Sequence, residues 1–225
     1  VDEAHATGAY GPKGRGAVAE FGLDGEVDVV IGTLGKALGS YGAFVCCSGH
    51  MARFLINSAR SLIFSTGLPP TSAAAALAAL RLIEEEPRRV EKLQANAEFL
   101  RNELNEAGID TGASQTQIVP LQIGSAEVAM SVCETALERG VFAQAIRPPT
   151  VPKGTSRLRL AVMASHTTTE LRGAAEILTK AARLSGVQPR QSQAPVEDFS
   201  EIDPGQVGES GSVLFFDQER AARVA

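Results

Sequence analysis

The first half of the chain alternates short apolar runs with longer amphipathic stretches. Two runs rich in β-branched residues, Asp28–Thr33 and Ala43–Ser48, predict strands. Both lack clean alternation of polar and apolar positions, so we expect strands buried on both faces, as in a parallel sheet. The pattern predicts a helix over Ser48–Arg60 and a third short strand over Leu62–Thr66.

Two consecutive helices are predicted next. An alanine-rich helix begins at Pro69–Pro70, where proline is tolerated because the first N–H groups of a helix are unpaired, and continues to about Glu86. After Pro87, apolar residues recur at steps of three and four, which predicts a helix that ends at Gly108. That apolar stripe consists of Val90, Leu93, Ala97, Leu100 and Leu104.

The pattern beyond Gly108 is typical of a small α+β domain. Strands are predicted over Ile118–Ile123, Val141–Ile146 and Arg157–Val162, and a helix over Ala126–Arg139. The last of these strands alternates with period two, as a half-buried strand does. The sequence Thr167-Thr168-Thr169-Glu170 predicts a capping box at the start of a final amphipathic helix.

These elements predict three segments. Residues 1–107 form the C-terminal part of an α/β large domain with its linking helices, and residues 108–185 form the small domain. Residues 186–225, rich in Pro, Gln, Ser, Gly and acids, predict a disordered tail, although 214–216 and 219–225 are compatible with a short helix. The chain starts on Val1 without an initiator Met, so we interpret it as the C-terminal part of a longer protein.

Composition narrows the class of protein. The 225 residues are 44% hydrophobic, enough for a sizeable core. A net charge of −5 and 5% aromatic residues without Trp argue against nucleic-acid binding. Cys46, Cys47 and Cys133 match no zinc spacing and cannot all pair, which favours a reducing, cytoplasmic setting. No apolar run reaches the ~18 residues of a membrane span, so we expect no membrane partner.

A lysine among small residues follows the first predicted strand, in Gly32-Thr33-Leu34-Gly35-Lys36-Ala37. A solvated loop lysine is the commonest interpretation of such a residue. A Walker phosphate loop fails in detail, because Val30 stands where its first glycine belongs and Ala37 follows the lysine. The third interpretation is a lysine that forms a Schiff base, because small neighbours let a planar cofactor approach and enclosure in a low-polarity site favours the neutral amine.

The opening residues, Val1-Asp2-Glu3-Ala4-His5, also allow two interpretations. They match the DEAH box of a nucleic-acid-dependent ATPase, whose acidic pair holds Mg²⁺. Alternatively, Asp2 keeps the ring nitrogen of pyridoxal phosphate (PLP) protonated, and His5 hydrogen-bonds its phenolic oxygen. An acid at one strand end and Lys36 at the next would lie at one edge of a parallel sheet, where open α/β folds bind ligands.

Several motifs in order resemble the α-oxoamine synthases, a family of fold-type I PLP-dependent enzymes. The resemblance covers residues 1 to about 185. The motifs are residues 1–8, 14–16 and 32–37, Phe64-Ser65-Thr66-Gly67-Leu68-Pro69-Pro70, residues 145–152, and Gly154-Thr155-Ser156-Arg157-Leu158-Arg159-Leu160. It implies a homodimer of α/β large domains, each followed by a small α+β domain, with active sites shared between subunits and no metal ion.

The resemblance also implies a role for each matched residue. Lys36 binds PLP as a Schiff base, Asp2 pairs with its ring nitrogen, and His5 contacts its phenolic oxygen. Thr33 reaches the phosphate, and Thr66 reaches the phosphate in the neighbouring subunit's site. Arg159 holds the substrate carboxylate, as the fork of a guanidinium does well, and Thr150 contacts substrate. Arg157, on the same face of the same strand, competes with Arg159 for that role.

Within the family, the segment Ile146-Arg147-Pro148-Pro149-Thr150-Val151-Pro152 is most similar to the biotin-pathway branch. That branch condenses L-alanine with pimeloyl-CoA, or with the pimeloyl thioester of a carrier protein, in a decarboxylating acyl transfer. Glycine C-acetyltransferase, also called 2-amino-3-ketobutyrate CoA ligase, and 5-aminolevulinate synthase are less similar there. The family builds part of its site from residues upstream of the matched region, so we expect this chain to be inactive alone.

Overall fold

The computed structural model describes residues 1–188. The predictions for residues 189–225, including the disordered tail and its short helix, lie outside the described part. Contacts divide the chain into two compact units, one of residues 1–97 and 163–166, the other of residues 98–162 and 167 onwards. The domain boundaries after 107 and 185 remain predictions.

The strands of the first unit are β1 (Val29–Thr33) and β2 (Ala43–Cys47), as the sequence predicted, but they pair antiparallel. The reason is the short connection of residues 34–42, which permits a hairpin return, whereas a parallel partner requires a crossover. Parallel pairing is present in the bridge between Asp2 and Ile31, on the other side of β1.

The prediction that both strands are buried on both faces is wrong for this chain. Val45 is 47% exposed and Ile31 44% exposed, because the described residues leave one face of the pair uncovered. Cys46, on the opposite face of β2, is exposed and Cys47 is half-buried, so neither is a fully buried core residue.

Helices make up the rest of the first unit. A 3-10 turn at Pro12–Gly14 precedes α1 (Ala17–Glu20), and the later helices are α2 (Gly49–Ser58), α3 (Arg60–Ile63), α4 (Pro70–Glu85) and α5 (Arg88–Glu106), which continues into the second unit. Most boundaries lie within two residues of those predicted.

The predicted strand at Leu62–Thr66 is wrong, because its first residues belong to α3. The backbone N–H of Ile63 donates to Ala59 O, and that of Phe64 donates to Arg60 O, so local hydrogen bonds replace a strand ladder. The Arg60 guanidinium lies 5.5 Å from the centre of the Phe64 ring, which adds a cation–π contact within the turn.

The second unit is an antiparallel sheet with helices. Its strands β3 (Ile118–Gly124), β4 (Gln144–Ile146) and β5 (Ser156–Ala161) have the order β3-β5-β4. Helix α6 (Ala126–Glu138) packs on all three strands and on α7 (Thr168–Leu184). The fully buried core includes Leu104, Val119, Leu121, Val132, Leu158 and Leu178.

One strand of this unit is shorter than predicted, since β4 begins at Gln144 and not at Val141. The N–H of Val141 donates to Ala136 O and that of Gly140 to Leu137 O, so these residues complete the end of α6. Gly140, at φ 87°, allows the chain to turn there.

The predicted capping box is present at the start of α7. The Glu170 N–H donates to Thr167 Oγ1 at 3.3 Å, and the Thr167 N–H donates to Glu170 Oε2 at 2.7 Å. Two N–H groups at the helix end are therefore paired by side chains.

We expect Thr167→Ala to lower the free energy of unfolding by about 0.5–2 kcal/mol, because the Glu170 N–H loses its acceptor. Urea denaturation of the purified protein measures this change. Thr169→Ala is the matched control, since Thr169 lies inside the same helix and supplies no cap. Equal losses in both variants would contradict the cap's contribution.

Candidate active site

The candidate site begins where two neighbouring strands end. The Ile31 N–H donates to Val1 O at 2.9 Å, and the Glu3 N–H donates to Ile31 O at 2.6 Å, which is a parallel pairing. Parallel strands end at the same edge of a sheet. Two segments therefore leave the sheet at the same edge, as the sequence predicted. One follows Asp2 and carries His5, and the other follows Thr33 and carries Lys36.

The acid and the imidazole lie in a tight turn at this edge. Asp2 is exposed, and its Oδ1 accepts the Ala4 N–H at 2.8 Å, which fixes the carboxylate against its own turn. The N–H groups of Ala6 and Thr7 both donate to Glu3 O at 2.9 Å, so the backbone around half-buried His5 is helical in character. Asp2 and His5 are thus held on one short, hydrogen-bonded segment.

The lysine lies in the loop that joins β1 to β2. This loop is closed at its base, where the Leu34 N–H donates to Gly42 O and the Ser40 N–H donates to Leu34 O, each at 2.8 Å. Lys36 itself is exposed. The enclosed, low-polarity surroundings expected for it are therefore not supplied by the described residues.

The Thr33 side chain forms two hydrogen bonds within the same loop. Its Oγ1 donates to Gly42 O at 3.1 Å and accepts the Gly35 N–H at 3.2 Å. The hydroxyl therefore shapes the backbone around Lys36, and it can reach a phosphate only by turning away from Gly42.

Packing fixes the loop on the body of the first unit. Leu38 is 3% exposed, and Ser40 Oγ donates to Ser72 O of α4 at 2.7 Å. A Cβ built on Gly8 would lie 3.0 Å from the Ala37 Cβ, so the segment after His5 touches the residue next to Lys36. Glycine at position 8, at φ 77°, permits this approach.

Sequence reasoning missed one residue of this neighbourhood. Glu3, which we assigned only to an acidic pair in the ATPase interpretation, is 2% exposed, and its carboxylate accepts two backbone N–H groups. An acid at a strand end, followed by a glycine-rich turn that can fold back on it, is the signal that could have indicated a buried carboxylate. Because both oxygens of the Glu3 carboxylate are hydrogen-bonded to backbone N–H groups, this arrangement argues against Glu3 as a Mg²⁺ ligand. Residues 1–188 contain no group of three or more His, Cys, Asp or Glu able to hold a metal ion.

Thr66 lies in the segment between α3 and α4 and is exposed. The residues around it are exposed as well, among them Phe64 at 76% and Leu68 at 44%. An apolar surface of this kind around a hydroxyl is compatible with a contact to a second chain.

The remaining candidates belong to the second unit. Arg157 and Arg159 are half-buried on one face of β5, and Leu158 and Leu160 are buried on the other. Arg159 lies opposite Pro120 of β3 and Gln144 of β4, at the centre of the sheet. The Arg157 Nε donates to Thr155 O at 3.1 Å, which commits that guanidinium to its own loop.

Thr150 is exposed in the loop between β4 and β5, where its N–H donates to Arg147 O at 3.0 Å. Its side chain is accessible, and its role stays a prediction.

Among residues 1–188, no helix is long and apolar enough to cross a membrane.

The chain matches the family described as aminotransferase class I and II over residues 1–178. It is 46% identical, over 189 residues, to an 8-amino-7-oxononanoate synthase of Citrifermentans bemidjiense, and this match covers 83% of the chain and 49% of the relative. The chain thus spans about half the length of the curated relatives that it matches.

Two solved structures extend the comparison. A structure of SPT with its PLP internal aldimine superposes with a TM-score of 0.78 and 32% identity, over 83% of this chain and 48% of that one. The 8-amino-7-oxononanoate synthase of Francisella tularensis superposes with a TM-score of 0.70 and 28% identity, over 81% and 54% of the two chains. The predicted fold class is therefore confirmed.

Proposed function

The chain belongs to the aminotransferase class I and II family, and from that premise we propose that it is part of a PLP-dependent acyltransferase of the 8-amino-7-oxononanoate synthase type. The observation that carries the proposal is the parallel pairing of Asp2 with Ile31, which aligns Asp2–His5 with the strand that leads to Lys36. Similarity to synthases of that name supports the choice of activity.

The candidate side chains of the first unit are chemically complementary to the functional groups of PLP. Lys36 offers an exposed primary amine for the aldehyde, and Asp2 offers an exposed carboxylate for the ring nitrogen. His5 offers an imidazole for the phenolic oxygen. Thr33 and Thr66 offer hydroxyl groups for the phosphate, Thr33 after its hydroxyl turns from Gly42 O. Carboxylate, imidazole, amine and hydroxyl are the groups that this cofactor requires.

Bound PLP supplies an electron sink for the charge that develops at the substrate Cα. Asp2 holds the proton on the ring nitrogen, which that sink requires. Lys36 would hold the cofactor through its primary amine and, as a free amine, would remove the Cα proton of the substrate. Arg159 binds the carboxylate of the amino acid with its planar fork. Thr150 is assigned to substrate contact in the same small domain.

We assign L-alanine and a pimeloyl thioester, of CoA or a carrier protein, as substrates. A bond forms between the alanine Cα and the thioester carbonyl carbon, the thiol leaves, the original carboxylate departs as CO₂, and a proton returns to Cα. This gives 8-amino-7-oxononanoate for biotin biosynthesis. Glycine C-acetyltransferase is the alternative, and product analysis with alanine and with glycine distinguishes the two.

The protein is assigned as a homodimer with shared sites. Support comes from the exposed apolar surface around Thr66, which a second copy would cover. Three free cysteines, Cys46, Cys47 and Cys133, support a reducing, cytoplasmic setting.

Borohydride reduction of the full-length protein with PLP should attach a pyridoxyl group to Lys36. Peptide mapping by mass spectrometry locates it, and Lys36→Ala should lose both the adduct and turnover, because the amine is the attachment point and the base. An adduct on another lysine would overturn the site and with it the proposed function.

Asp2→Asn is the matched comparison for that experiment. The amide can hydrogen-bond to the ring nitrogen without supplying a charge, so the adduct on Lys36 should persist while kcat falls at least about 100-fold. A near-normal kcat would contradict the role of Asp2.

Arg159→Ala should raise the KM for alanine by at least about tenfold, because a charge-assisted hydrogen bond contributes roughly 1.5–3 kcal/mol. The KM for the thioester should change much less. Arg159→Lys should recover little, since a point charge lacks the fork. Steady-state kinetics with each substrate varied in turn measures both constants.

Arg157→Ala is the control, because Arg157 shares the face of β5 and donates to Thr155 O. We expect it to leave the alanine KM near the wild-type value. If Arg157→Ala raises that KM and Arg159→Ala does not, the carboxylate contact belongs to Arg157.

Mixed dimers test whether Thr66 serves the neighbouring subunit. Lys36→Ala and Thr66→Ala proteins are unfolded together and refolded. A hybrid then has one site with both wild-type residues if Thr66 acts across the dimer. Random assortment should restore about a quarter of wild-type activity. A mixture no more active than the mean of its parents would place Thr66 in its own subunit's site.

A further inference from the structure

A buried carboxylate lies between the two candidate residues of the first segment. Glu3 is 2% exposed, although Asp2 before it is exposed. Burying a carboxylate is unfavourable unless it is hydrogen-bonded. Glu3 Oε2 accepts the Ala17 N–H at 2.9 Å and Oε1 accepts the Val18 N–H at 2.7 Å, so both oxygens are bound to the first turn of α1. We call this pair of contacts the Glu3 clamp.

The clamp closes a glycine-rich loop of residues 4–16. A Cβ built on Gly16 would lie 2.3 Å from Glu3 Oε2, and Gly16 has φ 97°, so only glycine fits beneath the carboxylate. Backbone bonds inside the loop add to the closure, from Gly16 N–H to Tyr10 O and from Gly8 N–H to Gly14 O, each at 2.8 Å. The carboxylate thus fastens the far end of the loop to the strand end from which it starts.

The clamped loop meets the candidate site on two sides. The main chain of Glu3 pairs with Ile31 of β1 and accepts the N–H groups that shape the turn around His5. Further along, Gly8 packs on Ala37, next to Lys36. Displacement of the loop would therefore disturb the imidazole segment and the lysine loop together.

We propose that Glu3 is a positioning residue for the PLP site, which acts through the clamp and does not touch the cofactor. This inference rests on the proposed function. It assigns to the second acid of the opening motif the task of aligning His5 and Lys36, while the neighbouring Asp2 serves the ring nitrogen.

The clamp requires a carboxylate. Two backbone N–H groups need two acceptor oxygens, and Glu3 supplies both. Glutamine of the same shape offers one acceptor oxygen and one NH₂ donor, so one N–H would face another donor. An unpaired backbone N–H opposite a donor loosens the loop although the side chain keeps its volume.

The test compares Glu3→Gln with wild type in the full-length protein. PLP binding is followed by visible absorbance, and the orientation of the cofactor by its visible circular dichroism. We expect the dissociation constant for PLP to rise at least about tenfold, as for other residues that orient ligands indirectly, with a weaker dichroic band per bound PLP. An unchanged dissociation constant with an unchanged dichroic band would overturn the inference.

Ala17→Pro tests the clamp from the donor side. Proline is well suited to the first residue of a helix, but its ring replaces the N–H that Glu3 Oε2 accepts. The carboxylate charge is retained, so an effect equal in direction to that of Glu3→Gln assigns the role to the clamp. Wild-type PLP binding in Ala17→Pro would overturn the inference, and this variant decides the matter if Glu3→Gln does not fold.

Glu170→Gln is the control for lost stability alone. Glu170 also accepts a backbone N–H at a helix start, in the second unit. Its loss should lower the melting temperature while leaving the PLP dissociation constant and dichroism unchanged. If Glu3→Gln matches Glu170→Gln in all three measurements, Glu3 is structural only. If wild type itself shows no covalent PLP, the proposed function fails first, independently of Glu3.

Discussion

Two backbone hydrogen bonds, between the first residues and Ile31, determine how the candidate site is assembled. They set a parallel register, and a register fixes both the direction and the end point of neighbouring strands. A slip of one residue would turn Asp2 to the other face of the sheet. The carboxylate, the imidazole and the lysine loop depend on this pairing for their common edge.

The loops beyond that edge are held by polar contacts as well as by the packing of buried Leu38. Thr33 Oγ1 and Ser40 Oγ tie the lysine loop to its own base and to α4, while the Glu3 carboxylate ties the preceding loop to α1. Such bonds have direction, so they fix backbone geometry where glycines would otherwise leave it free. Lys36 stays exposed while hydrogen bonds at Thr33 and Ser40 hold the loop that carries it.

Local patterns predicted most of the fold. The amphipathic helices, the capping box at Thr167 and the alternating strand β5 were all predictable from period and cap chemistry. The failures occurred where tertiary context decides. Leu62–Thr66 has strand composition, but its first two residues belong to the helix α3. The direction of β2 depends on loop length, which propensity does not encode.

The candidate site was predictable only to the level of the segment. Motif resemblance chose Lys36, Asp2 and His5, and strand order brought them to one edge. The burial of Glu3 and the commitment of the Thr33 hydroxyl to Gly42 follow from the folded path of two loops. The glycine-rich turn after Glu3 indicates that the chain can fold back on it, but the turn does not specify the partners Ala17 and Val18.

The surface of β1 and β2 has a consequence for anyone who handles this chain by itself. Among residues 1–188, β2 pairs only with β1, and the exposed apolar residues Val45 and Tyr41 lie on β2 and in the loop before it. An uncovered edge with apolar neighbours is a template for strand addition by another molecule. We expect self-association through this edge to compete with folding at high protein concentration, so dilute refolding should favour the native chain.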